Sequence, residues 1–249
     1  MLPKSTASIK RRGGADLLPM FSYYGSKWRL VPFYPPPKHN LIVEPFAGSA
    51  SYALRYANRK VLLYDVNPKV VGLWRYLIAA KPSEILALPL KFRRVNDLTH
   101  LCEEARWLIG WWIAKGSQHP RNKPSPWMHL KTRVDCVWGS VIRARIASQV
   151  NQIKHWRVCE GSYEECPNQA ATWLIDPPYQ SQGVYYVHHE IDYKQLAAWC
   201  RARKGQVIVC GTIKDTWLPF QHLKQVSRCA SNVDKGKEMN YCERVWVKN

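Results

Sequence analysis

The chain has 249 residues, 46% of them hydrophobic and 12% aromatic, enough for one sizeable core with an inserted subdomain and too apolar for a disordered chain. No run of about 18 apolar residues occurs, so no membrane-spanning helix is expected. Lysine and arginine number 37 against 18 acids, a formal net charge of +19, which points to a polyanionic partner such as nucleic acid. The charge is unevenly spread. Residues 166–193 hold three acids and no lysine or arginine, while the segments on either side are net basic.

In chain order, residues 1–18 carry basic side chains but no apolar stretch of a secretory signal, and read as a flexible basic arm. The run "NLIVEPF" is an expected buried strand ending on Glu44, followed by a turn through "AGSAS" and a helix starting in "YALRYA". The run "KVLLYDVNP" is a second strand ending on Asp65. It leads into a helix, "PKVVGLWRYLIAA", with Pro68 at an early position where the missing N–H is harmless. This β-turn-α-β-α order opens a doubly wound sheet.

The pattern then breaks over residues 81–158, which read as a mainly helical insertion. Trp107, Trp111 and Trp112 have helical spacing and suit the insertion's core. Ile142, Ile146, Val150 and Ile153 form one helical face, with Arg143, Arg145 and Lys154 off it. Alternation resumes with "TWLID" as a strand, "YKQLAAWCRAR" as a helix closed by Gly205, and "QVIVCG" as a strand. Two late strands, "HLKQVS" and "ERVWVKN", suit an antiparallel edge hairpin. His188 and His189 read as turn residues.

The eight cysteines contain no C-x-x-C pair, so a zinc site is not expected and the thiols read as reduced and cytosolic.

In a doubly wound sheet, ligands bind outside the carboxyl ends of the strands. Three such ends are marked here: Glu44 with Phe46 and Gly48, then Asp65, then Asp176-Pro177-Pro178-Tyr179. Glycine lets the backbone approach a ligand. An acid at the second strand end can accept hydrogen bonds from a ribose. Two prolines stop the third strand and stiffen the chain just beyond it. Neither a G-x-x-x-x-G-K-[ST] loop nor G-x-G-x-x-G is present, which disfavours an ATPase and a dinucleotide. A nucleoside cofactor without a pyrophosphate, such as S-adenosylmethionine, needs neither.

In this order, "FSYYGSKWRL", "IVEPFAGSAS", "LLYDVNPKVVGLW" and "LIDPPYQ" resemble the Dam-like N6-adenine-specific DNA methyltransferases of bacteria and phages. The likeness spans roughly residues 19–80 and 140–249. It implies a Rossmann-like α/β methyltransferase sheet with a late antiparallel edge hairpin and an inserted DNA-recognition subdomain. The catalytic domain would comprise residues 19–80 and 159–249. It implies cofactor contacts at Tyr23, Tyr24, Gly25, Lys27, Glu44, Phe46, Gly48, Asp65 and Asp176, and a catalytic tip of Asp176, Pro177, Pro178 and Tyr179. Three positions depart from the family's pattern: Ser26 and Ala50 stand where glycine is usual, and Ser162 where an acid toward the cofactor's adenine is common.

The reaction so implied is methyl transfer from S-adenosylmethionine to N6 of an adenine flipped out of double-stranded DNA, by a monomer in a bacterial or phage-infected cytoplasm. In it, Asp176 and the Pro177 carbonyl would accept the amine's hydrogens and Tyr179 would stack on the base. Arg93, Arg94, Arg121, Lys123, Lys131 and Arg133 are either DNA contacts or solvated. Cytosine-N4 methylation, RNA adenine methylation, and a non-catalytic DNA-binding relative remain open alternatives. The recognition sequence and the biological role, restriction-modification or another, are not legible.

Overall fold

The structure, a computed structural model, describes residues 16–113, 116–124, 136–180, 191–227 and 240–249. Its centre is one seven-stranded sheet of β1 (Leu41–Glu44), β2 (Lys60–Asp65), β3 (Arg157–Glu160), β4 (Ala171–Ile175), β5 (Gly205–Thr212), β6 (Gln221–Ser227) and β7 (Asn240–Lys248). The order across the sheet is β3-β2-β1-β4-β5-β7-β6. The first five strands run parallel, and β7 lies antiparallel between β5 and β6. The fold is therefore mixed α/β and Rossmann-like, with the expected late antiparallel pair at one edge. The chain winds outward from β1 in one direction and from β4 in the other. The crevice between those two strands is the topological switch point, where such sheets bind ligands.

Parallel strands are covered on both faces, so they read as unbroken apolar runs. Ile42, Leu63, Leu174, Ile208 and Val245 join one core with α1 (Ser51–Arg55), α2 (Pro68–Ala79), α3 (Pro82–Ala87), α4 (Glu103–Trp112) and α5 (Ser140–Gln149). Their neighbours Val43, Trp173, Ile175, Val207 and Val209 pack with Leu196, Ala197 and Cys200 of α6 (Tyr193–Ala202). Helix α2 starts where Asn67 accepts the Lys69 N–H and Pro68 takes the first position; Val70, Leu73, Trp74 and Leu77 form its buried face.

The inserted helices share the first of these cores. Trp111 and Trp112 are buried, and Ile142, Ile146, Val150 and Ile153 are fully buried on the expected face, the last two in a 3-10 turn that follows α5. The basic residues off that face serve the fold. Arg143 donates to the Leu88 carbonyl at 2.7 Å, Arg145 to the Pro19 carbonyl at 3.0 Å, and Lys154 to the Ala80 carbonyl at 2.5 Å. Arg143 joins two parts of the insertion, while Arg145 and Lys154 tie it to the segments before β1 and after α2.

Two further differences from the sequence reading have local causes. Helix α6 ends at Arg203, whose N–H bonds the Cys200 carbonyl, and Gly205 instead opens β5. At φ +92° a Cβ there would lie 2.4 Å from the Ala171 carbonyl oxygen, so glycine serves a close strand approach rather than a helix cap. Strand β3 was not expected, because Arg157–Glu160 is a short sheet-edge strand with no buried residue and carries little apolar signal.

Trp74 links this core to the crevice. Its side chain is fully buried, and its indole N–H donates to the Gly48 carbonyl at 2.8 Å. Trp74→Phe leaves that carbonyl without its donor, and the unfolding free energy should fall by about 1–3 kcal/mol in urea denaturation; an unchanged midpoint would show that the bond contributes nothing.

Candidate active site

The strand ends expected to bind ligand open onto one cavity of about 520 Å³, a size suited to a nucleoside-containing ligand. Tyr23, Tyr24, Gly25, Lys27, Glu44, Phe46, Gly48, Asp65, Asp176 and Pro178 all line it. Pro177 and Tyr179, the other two residues of the tip, are not among its lining residues.

On the β1 side, the chain turns sharply through two left-handed residues. Gly48 has φ +43°, and a Cβ there would meet the Tyr23 ring at 3.3 Å. Ala50 has φ +45°, the only positive φ among described residues other than glycine. This explains why glycine is usual at that position, since the conformation costs an L-residue roughly 1–2 kcal/mol. Asp65 uses one oxygen to accept the Gly48 N–H and the other to accept the Asn67 N–H, each at 2.9 Å. Ser26 reaches Ser51 at 3.0 Å, and Ser51 reaches Ser49 at 3.1 Å, so hydroxyls form that wall.

The opposite wall is flat and aromatic. Phe46 stacks on Tyr163 with ring centroids 5.5 Å apart, and Ile191 lies beside them on the cavity. Ser162 has a structural task here, capping the short 3-10 turn after β3 by accepting the Glu164 N–H at 3.1 Å. Glu164, two residues on, also lines the cavity and accepts from Gln195 at 2.5 Å. The insertion also contributes. The Tyr24 N–H donates to the Ser117 carbonyl, and Gln118 reaches the cavity.

The tip after β4 is the most constrained part. The Lys27 ammonium lies 3.5 Å from Asp176 Oδ1 and 3.5 Å from Glu243 Oε2, and it donates to the Tyr179 hydroxyl. It also sits over the Tyr179 ring, 4.4 Å from the centroid. The Tyr179 hydroxyl donates to Asp176 at 3.1 Å, and Tyr34 donates to Glu243 at 2.7 Å. The tip is braced from two more directions: the Tyr193 hydroxyl donates to the Pro178 carbonyl at 2.6 Å, and the Gln180 N–H donates to buried Asp215 at 3.3 Å. Burial pushes the Asp176 carboxyl up to about 6, Lys27 pulls it down and Glu243 pushes it up. Burial likewise raises Tyr179, Tyr34 and Cys210 well above their usual range.

Glu243, Tyr34, Asp215 and Gln118 were not singled out from sequence. Glu243 left one trace: in "ERVWVK" it shares the alternating face of Val245 and Val247, where an acid is out of place. Arg93, Arg94 and Lys123 gather with Phe92 and Pro124 around a shallow surface depression, and Arg121 is exposed near them, its backbone N–H tied to Gly110. Lys131 and Arg133, like His188 and His189, lie outside the described residues. Among the described residues, no cluster of three or more His, Cys, Asp or Glu is arranged for a metal, Cys102, Cys159, Cys166, Cys200 and Cys210 form no disulfide, and no helix is long and apolar enough to cross a membrane.

Comparison with known proteins bears on this arrangement. Residues 23–103 match the family model of the D12 class N6 adenine-specific DNA methyltransferases, in line with the resemblance read from the motifs. The matched span carries Tyr23, Lys27, Glu44, Gly48 and Asp65 and stops short of Asp176. No curated protein matches. Among solved structures, a conserved hypothetical protein of Streptococcus pyogenes is similar at 10% identity, with 89% of this chain and 92% of that one covered and a TM-score of 0.39.

Glu44 is the other perturbed acid. It is buried, accepts the Ala53 N–H at 2.7 Å, and burial pushes its carboxyl up to about 8. The folded protein therefore keeps a proton that the unfolded chain releases near 4.5. This contribution to stability is complete below that pH and is lost as pH rises through about 8. Glu44→Gln should remove this component, so that melting temperatures of variant and wild type diverge in favour of the variant toward alkaline pH. Parallel curves across the range would contradict the assignment.

Proposed function

We propose that the protein is an S-adenosylmethionine-dependent methyltransferase that modifies the N6 amine of an adenine flipped out of double-stranded DNA. The observation that carries this reading is the position of Asp176. It is a braced, partly exposed carboxylate at the switch point of the sheet, on the wall of a cavity sized for a nucleoside. The family match over residues 23–103 supports DNA adenine methylation as the general activity.

The cavity's chemistry fits the cofactor. The paired oxygens of Asp65 suit ribose hydroxyls, and the Phe46–Tyr163 stack beside Ile191 suits a purine. Glu164 and Gln195 offer polar edges near that slot. Asp65, Glu164, Asp176 and Asp192 make the lining acidic, and Lys27 is already shared between carboxylates, which suits a cationic ligand without phosphates. When bound, S-adenosylmethionine supplies a methyl group on a positively charged sulfur.

An exocyclic amine is a weak nucleophile because its lone pair is delocalised into the ring. Asp176 and the Pro177 carbonyl accept hydrogen bonds from its two N–H groups and draw the nitrogen toward tetrahedral geometry. Asp176 then takes the proton that the nitrogen must lose. The two prolines, Tyr193 and Asp215 hold these acceptors still, and preorganised acceptors need no rearrangement as charge develops. Tyr179, its hydroxyl anchored from below, offers ring surface to the flipped base, a contact worth roughly 1–3 kcal/mol. Arg93, Arg94, Arg121 and Lys123, together with Lys131 and Arg133, hold the DNA backbone. Residues 81–158 read the target as the recognition part, 19–80 and 159–249 are the catalytic part, and the protein acts as a monomer in the cytoplasm.

Incubation with double-stranded DNA and S-adenosylmethionine, with mass analysis of the nucleosides, should yield N6-methyladenine. N4-methylcytosine, or methylation of RNA alone, would replace the substrate assignment. DNA binding with no cofactor binding in calorimetry would overturn the enzyme. Asp176→Ala should lower kcat by about 10²–10³-fold or more while the fold is retained. Wild-type kcat/KM should fall as pH drops through about 6, where Asp176 gains its proton and stops accepting. DNA affinity should fall with salt at a log–log slope near 0.9 per phosphate contacted; affinity indifferent to salt would contradict the basic interface.

A further inference from the structure

Glu243 lies far from the motifs in sequence and directly beneath the catalytic tip in space. Strand β7 pairs with β5 in a register that sets Glu243 opposite Thr212. Extending the β4–β5 register places Asp176 beside Cys210 on the neighbouring strand. The carboxylate is 5% exposed, on the face that Val245 and Val247 give to the core. A buried carboxylate costs several kcal/mol unless it is paired and hydrogen-bonded. Here it accepts from Tyr34 at 2.7 Å, lies 3.5 Å from the Tyr179 hydroxyl, whose one proton goes to Asp176, and faces Lys27 at 3.5 Å.

We propose that Glu243 is a positioning residue for the chemistry at Asp176, acting by holding Lys27 between the two carboxylates. This rests on the methyltransferase reading above. A lysine has three N–H donors. The ammonium donates to the Tyr179 hydroxyl and forms ion pairs with both Asp176 and Glu243, which holds it in place. The contacts from Lys27 and Tyr179 both fall on Asp176 Oδ1, so Oδ2 is the oxygen assigned to the substrate amine. Without Glu243 the ammonium would be drawn wholly onto Asp176, making that carboxylate a weaker acceptor and turning it away from the amine. The antiparallel strand β7 thus delivers a working part of the site as well as closing the sheet.

The groups facing Asp176 are Lys27 from the N-terminal segment, Tyr34, Glu44 at the end of β1, Tyr179 on the same tip, Cys210 on β5 and Glu243 on β7. Tyr34, Tyr179 and Cys210 stay neutral up to high pH, and Glu44 keeps its proton up to about 8. The charged side chains that act on Asp176 are therefore Lys27, which pulls its carboxyl down, and the acid Glu243, which pushes it up. Removing the negative one lowers the pH at which Asp176 titrates.

Glu243→Gln keeps an oxygen for Tyr34 to donate to and removes the charge. It should lower kcat by about 10–100-fold with little change in KM for DNA or cofactor, the size expected for a misplaced catalytic group. The acid limb of kcat/KM should move to lower pH. Carboxyl carbon NMR should show the Asp176 titration moving the same way, with no turnover needed for the readout. Wild-type kcat with an unmoved Asp176 titration in Glu243→Gln would overturn the proposal. Should that variant not fold, Tyr34→Phe, which removes one bond to Glu243, should give a smaller loss of kcat at unchanged KM; wild-type kcat and titration there would overturn it equally. A wild-type protein that methylates no nucleic acid, but whose Asp176 titration shifts in Glu243→Gln, would sink the methyltransferase reading and leave Glu243's hold on Asp176 standing.

Discussion

Lys27 sets one positive charge 3.5 Å from two carboxylates, Asp176 and Glu243, at the carboxyl edge of the sheet. The three residues come from the N-terminal segment, the β4 tip and the last strand, so the cluster exists only when all three are assembled. An unpaired member would be a largely buried charge, costing several kcal/mol. The charge balance therefore ties the strand order to the site: β4 beside β5, β7 beside β5, and the N-terminal segment folded over the first core. Tyr34 and Tyr179 complete the cluster with hydroxyls, so charge and hydrogen bonding are matched at one point.

Around that point, charge is divided by task. The chain as a whole carries +19, while the charged residues that line the cavity are acids with the exception of Lys27. A basic exterior draws a polyanion toward the molecule, and acids on the cavity wall, with no phosphate loop beside them, disfavour phosphates there. The insertion takes part in both. Its exposed face carries Arg93, Arg94 and Lys123, and its loop joins Tyr24 and brings Gln118 to the cavity. The arginines of α5 that point inward are spent on backbone carbonyls at Leu88 and Pro19, so basic residues there are partly structural.

The elements legible in the sequence were those whose signals are local. Strands β1, β2, β4 and β5 are buried on both faces and read as apolar runs, and the acids Glu44, Asp65 and Asp176 mark where they stop. Proline and asparagine mark the start of α2. The cavity lining could be read from those strand ends because a doubly wound sheet brings them to one edge. The features that were not legible depend on tertiary approach. Strand β3 is too short and exposed to announce itself. Gly205 looks like a helix stop until the Ala171 carbonyl is seen against it. Glu243 and Tyr34 are ordinary residues in sequence and become partners only through the β5–β7 register and the fold of the N-terminal segment. The motif around Asp176 suggested a rigid acceptor; the structure adds that a lysine and a second acid hold it.

The central claim is that the cavity seats a sulfonium cofactor with its reactive end against the Asp176 tip. A crystal structure of the protein grown with S-adenosylhomocysteine tests this most directly. The account predicts the ribose hydroxyls on Asp65, the purine beside Phe46 and Tyr163, and the sulfur turned toward Asp176. A cofactor bound elsewhere, or seated with its sulfur away from Asp176, would contradict it.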